Sequence, residues 1–155
     1  IAKSNKTDDS VVKAWIKNSN HRKNWPYKIL RKEVLENKPL AKIAVLGLTY
    51  KENTNSTKNS PGLSLLENLE KNNVIVFDPV ISININNIKN ARSAYEAVTG
   101  ADVVVITTPW EEFKKLSILE LKKLMNGNII IDPYQIFPRN EILALNMKHI
   151  TLGVE

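Results

Sequence analysis

The chain has 155 residues, 43% of them hydrophobic and 25% charged, a formal net charge of +6 and no cysteine, which is the balance of a globular domain and not of a disordered one. Without cysteine there is no disulfide framework, no thiolate metal site and no thiol nucleophile. No apolar run approaches the roughly 20 residues that a bilayer crossing requires, and the opening IAKSNKTDDS lacks the apolar core of a signal peptide, so a cytoplasmic protein is expected.

The chain begins at Ile1, with polar residues ahead of any fold signal, and so reads as a piece of something longer. Residues 1–51 carry twelve Lys/Arg against four Asp/Glu, a balance of +8 that leaves −2 for the remainder. A solvated helical face accounts for this, and a surface for phosphates or nucleic acid is the other reading. Trp15, Trp25 and Tyr27 punctuate the basic stretch at irregular spacing, which matches no basic-aromatic nucleic-acid module. The spacing of Val11, Val12, Trp15 and Ile16 predicts a helix over 9–18, capped by Thr7 or Asp8. A second helix is predicted over 25–36, with Pro26 in an early position and Ile29, Leu30, Val34 and Leu35 as its apolar face. Residues 1–38 therefore form a helical segment, and 39–155 the main domain.

From Lys42 onward, short β-branched runs alternate with helical patterns. Strands are predicted over 42–48, 73–78, 102–108, 128–132 and 148–153, and helices over 61–71, 90–98, 111–125 and 139–146. The stretch VISININ at 80–86 fits either a short strand or a loop. Continuous runs such as VVVI and III lack the in–out alternation of a half-exposed sheet, so their strands are covered on both sides. The expected fold is α/β, an open parallel, Rossmann-like sheet with helices on both faces, preceded by one or two N-terminal helices. In such sheets the ligand lies beyond the carboxyl ends of the strands. That restricts the search to the loops after Leu48, Asp78, Thr107 and Asp132.

The first of these loops, GLTYKENTNSTKNSP, holds one glycine, Gly47. It lacks both the three-glycine dinucleotide fingerprint and the G-x-x-x-x-G-K-[ST] phosphate loop, so independent tight binding of NAD or ATP is disfavoured. Gly47 lets the backbone turn sharply or approach a ligand closely. Ser60 caps the following helix and Pro61 opens it, so that free N–H groups of the first turn favour an anion. Lys51 and Lys58 add positive charge. A phosphate or pyrophosphate suits this mouth, and an ordinary capped helix with solvent-facing lysines explains the same residues.

The same loop resembles the Gly-Leu-Ala-Phe-Lys-x-x-Thr-x-Asp-x-Arg-x-Ser-Pro signature of the UDP-glucose/GDP-mannose dehydrogenase family, in its C-terminal UDP-sugar-binding domain. VIVFDP at 74–79, GADVVVITTPWEEFKKL at 100–116 and NIIIDPYQIF at 128–137 are similar to further family segments in the same order. The resemblance covers about residues 41–137, and the stretch before Lys42 looks like the end of the family's central helical region. It implies a UDP-sugar as ligand and a three-part, homodimeric, NAD-dependent enzyme that oxidises the sugar C6 alcohol to a carboxylate. NAD is then bound mainly by an N-terminal domain, and the reacting cysteine lies in the half of the enzyme missing here, so this chain alone is expected to be inactive. Carried over by position, Tyr50, Lys51 and Tyr134 are substrate-binding and Lys58 approaches NAD. Lys58 stands where the family has arginine, losing the bidentate fork. Ser56 replaces an aspartate, and Pro133-Tyr134 replaces Gly-Arg. These departures point to another sugar, such as an N-acetylhexosamine derivative, or to a relaxed site.

The remaining candidates have structural readings. Asp78 ends a strand and is expected to make an Asp-Pro turn and not to bind a ribose. Trp110 either packs on a base or partner domain or fills the core. Glu111 and Glu112 open a helix and suit its dipole. His21 and His149 are too isolated for a metal site, and each is expected to be solvent-exposed or a satisfied edge residue. A non-catalytic interaction module on the same scaffold, or a nucleic-acid binder using the basic third, are the rival functions.

Overall fold

The structure is a computed structural model and describes residues 8–69 and 71–153. Six strands form one sheet: β1 Lys42–Leu46, β2 Asn73–Phe77, β3 Ile88–Asn90, β4 Val103–Ile106, β5 Ile129–Ile131 and β6 Lys148–Ile150. They lie in the order β3-β2-β1-β4-β5-β6, and every adjacent pair is parallel. The expected open parallel sheet is therefore present, with β3 as an addition.

Because side chains alternate along a strand, each central strand feeds two cores. Ile43 and Val45 of β1 join Val103, Val105 and Ile131 on one face, covered by α1 (Ser10–Leu30) and α2 (Pro61–Leu66). Ala44 and Leu46 join Val104, Ile106 and Ile130 on the other, which also takes in residues of α3 (Ala94–Val98), α4 (Glu111–Lys114), α5 (Ile118–Leu124) and α6 (Arg139–Ala144). All four residues of β4 are buried, which is why its sequence is uniformly apolar.

Several boundaries differ from expectation, each for a local reason. The two N-terminal helices are one: α1 runs for 21 residues through Pro26 and passes into a π-helical turn at Arg31–Leu35. An interior proline forfeits one hydrogen bond and crowds the preceding turn. Burial of the Pro26 ring beside fully buried Leu30 offsets that cost. Upstream the helix is open to solvent, with Val11, Val12, Trp15 and Ile16 between 47% and 69% exposed. Residues 80–86 are loop, and strand β3 ends at Asn90, where a helix is predicted to start. The helix expected over 111–125 is two, because the Ser117 hydroxyl accepts from Glu120 N–H and restarts it as α5. No helix among the described residues is long and apolar enough to cross a membrane.

The amino end of the sheet is fastened by Asp102. Its carboxylate accepts from Lys42 N–H at 2.9 Å and from Lys38 Nζ at 2.8 Å. Partial burial disfavours the ionised form, but Lys38 and the Lys42 N–H together outweigh it and hold the carboxyl below the ordinary aspartate range. A carboxylate with a depressed folded-state pKa contributes stability above its unfolded value and loses it as pH falls through the folded one. Urea titrations of Asp102→Asn are therefore expected to show a shallower loss of stability below about pH 4 than the parent chain. Parallel acid limbs would contradict this role.

Candidate functional site

The strand order reverses between β1 and β4, where parallel sheets open a crevice at their carboxyl ends. A cleft of about 590 Å³ lies there. The β1–α2 loop contributes Tyr50, Lys51 and Asn59, with Pro61 at the head of α2. Thr107 follows β4, Pro133 and Tyr134 follow β5, and Leu152 follows β6. The last wall is α1, through Ile16, Ser19, Asn20, Arg22, Lys23 and Pro26.

Of the residues singled out in the sequence, Tyr50, Lys51 and Tyr134 meet in this cleft. Lys58 does not line it; the side chain is exposed, and its neighbour Asn59 takes the place. Tyr50 is 53% exposed and free to meet a ligand, whereas Tyr134, 39% exposed, is fixed at its far end. Its hydroxyl donates to Thr107 O at 3.1 Å and its N–H to Asp132 Oδ1 at 3.2 Å. Burial raises the pKa of the Tyr134 phenol, and the nearby Arg22 charge pulls the other way.

The floor of the cleft is stitched together by two threonines. Thr107 Oγ1 donates to Gly47 O, and Thr108 Oγ1 donates to Thr49 O at 2.7 Å. Gly47 has φ +101°, and a Cβ there would sit 2.5 Å from Thr108 Cβ. Its glycine thus serves a turn and a tight backbone packing, not the close approach of a ligand. A Cβ on Gly62 would in turn meet Gly47 O at 2.5 Å, so α2 also abuts this turn.

The start of α2 offers less to an anion than its sequence promises. A helix start has four donors without intrahelical partners. Here Ser60 N–H goes to Thr57 O, Pro61 has none, and Leu63 N–H goes to Ser60 Oγ at 3.1 Å, which leaves Gly62. Positive charge in the cleft comes instead from side chains: Arg22, Lys23 and Lys51. None of the three has an acidic partner within ion-pair distance among the described residues, unlike Lys38, Lys114 and Lys148.

Asp78 is a structural hub, consistent with the turn expected of it. It is 7% exposed; Oδ2 accepts from Leu48 N–H at 2.7 Å, Thr49 N–H at 3.2 Å and Trp110 Nε1–H at 3.1 Å. Oδ1 takes Val80 and Ile81 N–H at 3.0 and 3.2 Å. Trp110 is consequently a core residue, with its indole nitrogen satisfied. Glu111 lies in the first turn of α4 and pairs with Lys114 at 2.8 Å. His21 is exposed. His149 is not solvent-exposed but buried: its Nε2 lies 3.1 Å from Asp132 Oδ2, while Nδ1 has no partner among the described residues. Asp132 Oδ2 also accepts Phe137 N–H, so this carboxylate shapes the loop that carries Tyr134. Among the described residues no cluster of His, Asp or Glu is arranged to hold a metal ion.

The turn after β1 does not fit NAD. It has one glycine where a pyrophosphate needs close backbone approach, and that glycine is packed against Thr108. Sequence reasoning missed the contribution of α1. The available signal was periodicity: positions 16, 19, 23, 26 and 30 fall on one helical face, and the last two are the buried ones.

Comparison with known proteins gives the chain its family. The family model described as "UDP-glucose/GDP-mannose dehydrogenase family, UDP binding domain" matches residues 44–139. A UDP-glucose 6-dehydrogenase from Rhizobium meliloti (strain 1021) is 34% identical over 119 residues, covering 73% of this chain and 27% of that protein. The UDP-glucose 6-dehydrogenase of Rickettsia bellii (strain RML369-C) is 29% identical over 161 aligned positions, covering 99% of this chain and 37% of the relative. Among solved structures, a UDP-D-ManNAc dehydrogenase from Pyrococcus horikoshii superposes with a TM-score of 0.70 at 30% identity, covering 86% of this chain and 31% of the other. A UDP-glucose dehydrogenase from Pyrobaculum islandicum, with a TM-score of 0.75 at 19% identity over 98% of this chain and 34% of the other, shares the fold. The chain spans 27% to 37% of the length of these proteins.

Proposed function

Since the chain belongs to the UDP-glucose/GDP-mannose dehydrogenase family through its UDP binding domain, we propose that it is the nucleotide-sugar-binding part of an NAD-dependent UDP-sugar 6-dehydrogenase. Its work in that enzyme is to clamp the UDP moiety while the sugar C6 alcohol is oxidised elsewhere. The observation that carries this reading is the cleft at the carboxyl edge of the sheet, where Tyr50, Lys51 and Tyr134 converge. The Lys51 ammonium meets phosphate oxygens as a point charge. The two tyrosines present flat, amphipathic walls to a base or ribose.

With no cysteine and a β1–α2 turn that does not accept a dinucleotide, the chain supplies binding and orientation only and does not turn over by itself. NAD and the reacting thiol belong to another part of the full-length protein, and Lys58 is the residue of this chain proposed to approach the cofactor. A homodimer is proposed for the full-length enzyme, supported by the exposed apolar side chains Val11, Val12, Trp15 and Ile16 on α1.

Calorimetry or ligand-observed NMR with UDP and UDP-glucose tests the clamp. Weak, millimolar binding is expected of the isolated chain, and Lys51→Ala is expected to weaken it roughly tenfold by removing a charge-assisted contact. No UDP-dependent signal at millimolar ligand, together with indifference to Lys51, would refute the reading.

A further inference from the structure

Helix α1 turns one continuous face toward the domain. Where that face meets the sheet it is apolar and buried, with Leu30 wholly so and Pro26 beside it. Where it passes the open cleft, between Pro26 and Ile16, it carries the polar and basic side chains of Ser19, Asn20, Arg22 and Lys23. The change of character falls at the rim of the cavity and not at a break in the helix, since α1 is continuous from Ser10 to Leu30.

Three cations lining one cleft repel one another, and in a concave, partly desolvated space that repulsion is screened less than on an open face. An anion in the cleft reverses the sign of the interaction. Lys23 is partly buried there, which costs solvation that nothing in the described structure returns. Arg22 brings what the lysines lack, a planar fork able to grip two phosphoryl oxygens at once. Among the described residues it has no carboxylate to occupy that fork.

We propose that Arg22, seconded by Lys23, binds the diphosphate of the nucleotide sugar from α1, as Lys51 does from the β1–α2 loop. The inference rests on the nucleotide-sugar reading of the cleft and adds to it: α1 is a wall of the binding site and not merely a connector leading into the domain. The positive wall is also the part of the basic N-terminal third whose charge has a specific use.

The experiment compares UDP with uridine, which has the same base and ribose but no phosphate, titrated into the chain and its Arg22→Gln and Arg22→Lys variants. Arg22 is exposed, so circular dichroism spectra of the variants should match the parent. Arg22→Gln is expected to weaken UDP roughly tenfold and to leave uridine unchanged. Arg22→Lys should recover only part of the loss, because it restores the charge without the fork. If Arg22→Gln binds UDP as the parent does while Lys51→Ala weakens it, the cleft holds diphosphate without α1 and this inference is wrong. If uridine weakens in step with UDP, Arg22 shapes the cleft and does not touch phosphate, which also overturns it. If the parent shows no response to UDP at all, the nucleotide-sugar reading falls first and takes the inference with it.

Discussion

Asp78→Ala is expected to lower stability by about 4 kcal/mol, because each buried donor left without a partner costs ~1–3 kcal/mol and water can replace only some of them. Leu48 N–H, Thr49 N–H and the Trp110 indole all lose the same carboxylate oxygen, and Val80 and Ile81 lose the other. Loss on this scale is a large share of the ~5–15 kcal/mol that holds a typical domain together. The damage also reaches function, since Leu48 and Thr49 lead directly into Tyr50 and Lys51 of the cleft. Asp78→Asn keeps one acceptor oxygen and should cost about half as much. Urea-unfolding midpoints of the two variants check this. An Asp78→Ala midpoint close to that of the parent would mean that the hub is dispensable.

Gly47→Ala should be nearly as severe, at about 3 kcal/mol. A non-glycine residue at φ +101° is strained by ~1–3 kcal/mol, and overpacking adds ~1–3 kcal/mol more. The obstacle is firm: an added Cβ would lie 2.5 Å from both Thr108 Cβ and Thr108 N, so relief requires moving the β4 loop. That loop holds Tyr134 through Thr107 O. The expected result is a melting temperature lower by about 10 °C for a chain of this size, accompanied by weaker UDP binding. A variant that melts like the parent would show that Thr108 yields without cost.

Much of this architecture is visible in the residue pattern. Runs such as VVVI at 103–106 are apolar throughout because both faces of β4 are covered, and this marks a parallel sheet with helices on each side. Ser60-Pro61 marks the start of α2 through local capping chemistry. Two misplaced boundaries carried a signal of the same kind. Ser93 with Glu96 and Ser117 with Glu120 both have the S-x-x-E spacing of a capping box. In each case the serine hydroxyl accepts the glutamate N–H, starting α3 at Ala94 and splitting the helix expected over 111–125. Strand β3 was hidden for the opposite reason. Its three residues pair with β2 through the backbone, which any side chain permits.

For the site, the loop signature brought Tyr50 and Lys51 to the cleft and the segment 128–137 brought Tyr134, while Lys58 of the same signature fell outside it; the turns that follow strands place their residues at the carboxyl edge whatever the rest of the fold does. Arg22 and Lys23 could not be located that way. Their place depends on how α1 lies across the sheet, and that is set by its packing on α2 and β5, with Leu30 and, in the following turn, Val34 buried in the shared core, contacts distant in sequence. His149 is a similar case, since its spacing gives no hint that Asp132, 17 residues away and just past the end of β5, sits beside it. Strand identity, helix caps and the loop motif are local properties, written in periods of two and 3.6 residues and in short-range hydrogen bonds. Which charges share a cavity, and which polar atoms are sealed inside, follows from long-range packing, where the free energy belongs to the pair and not to either residue alone.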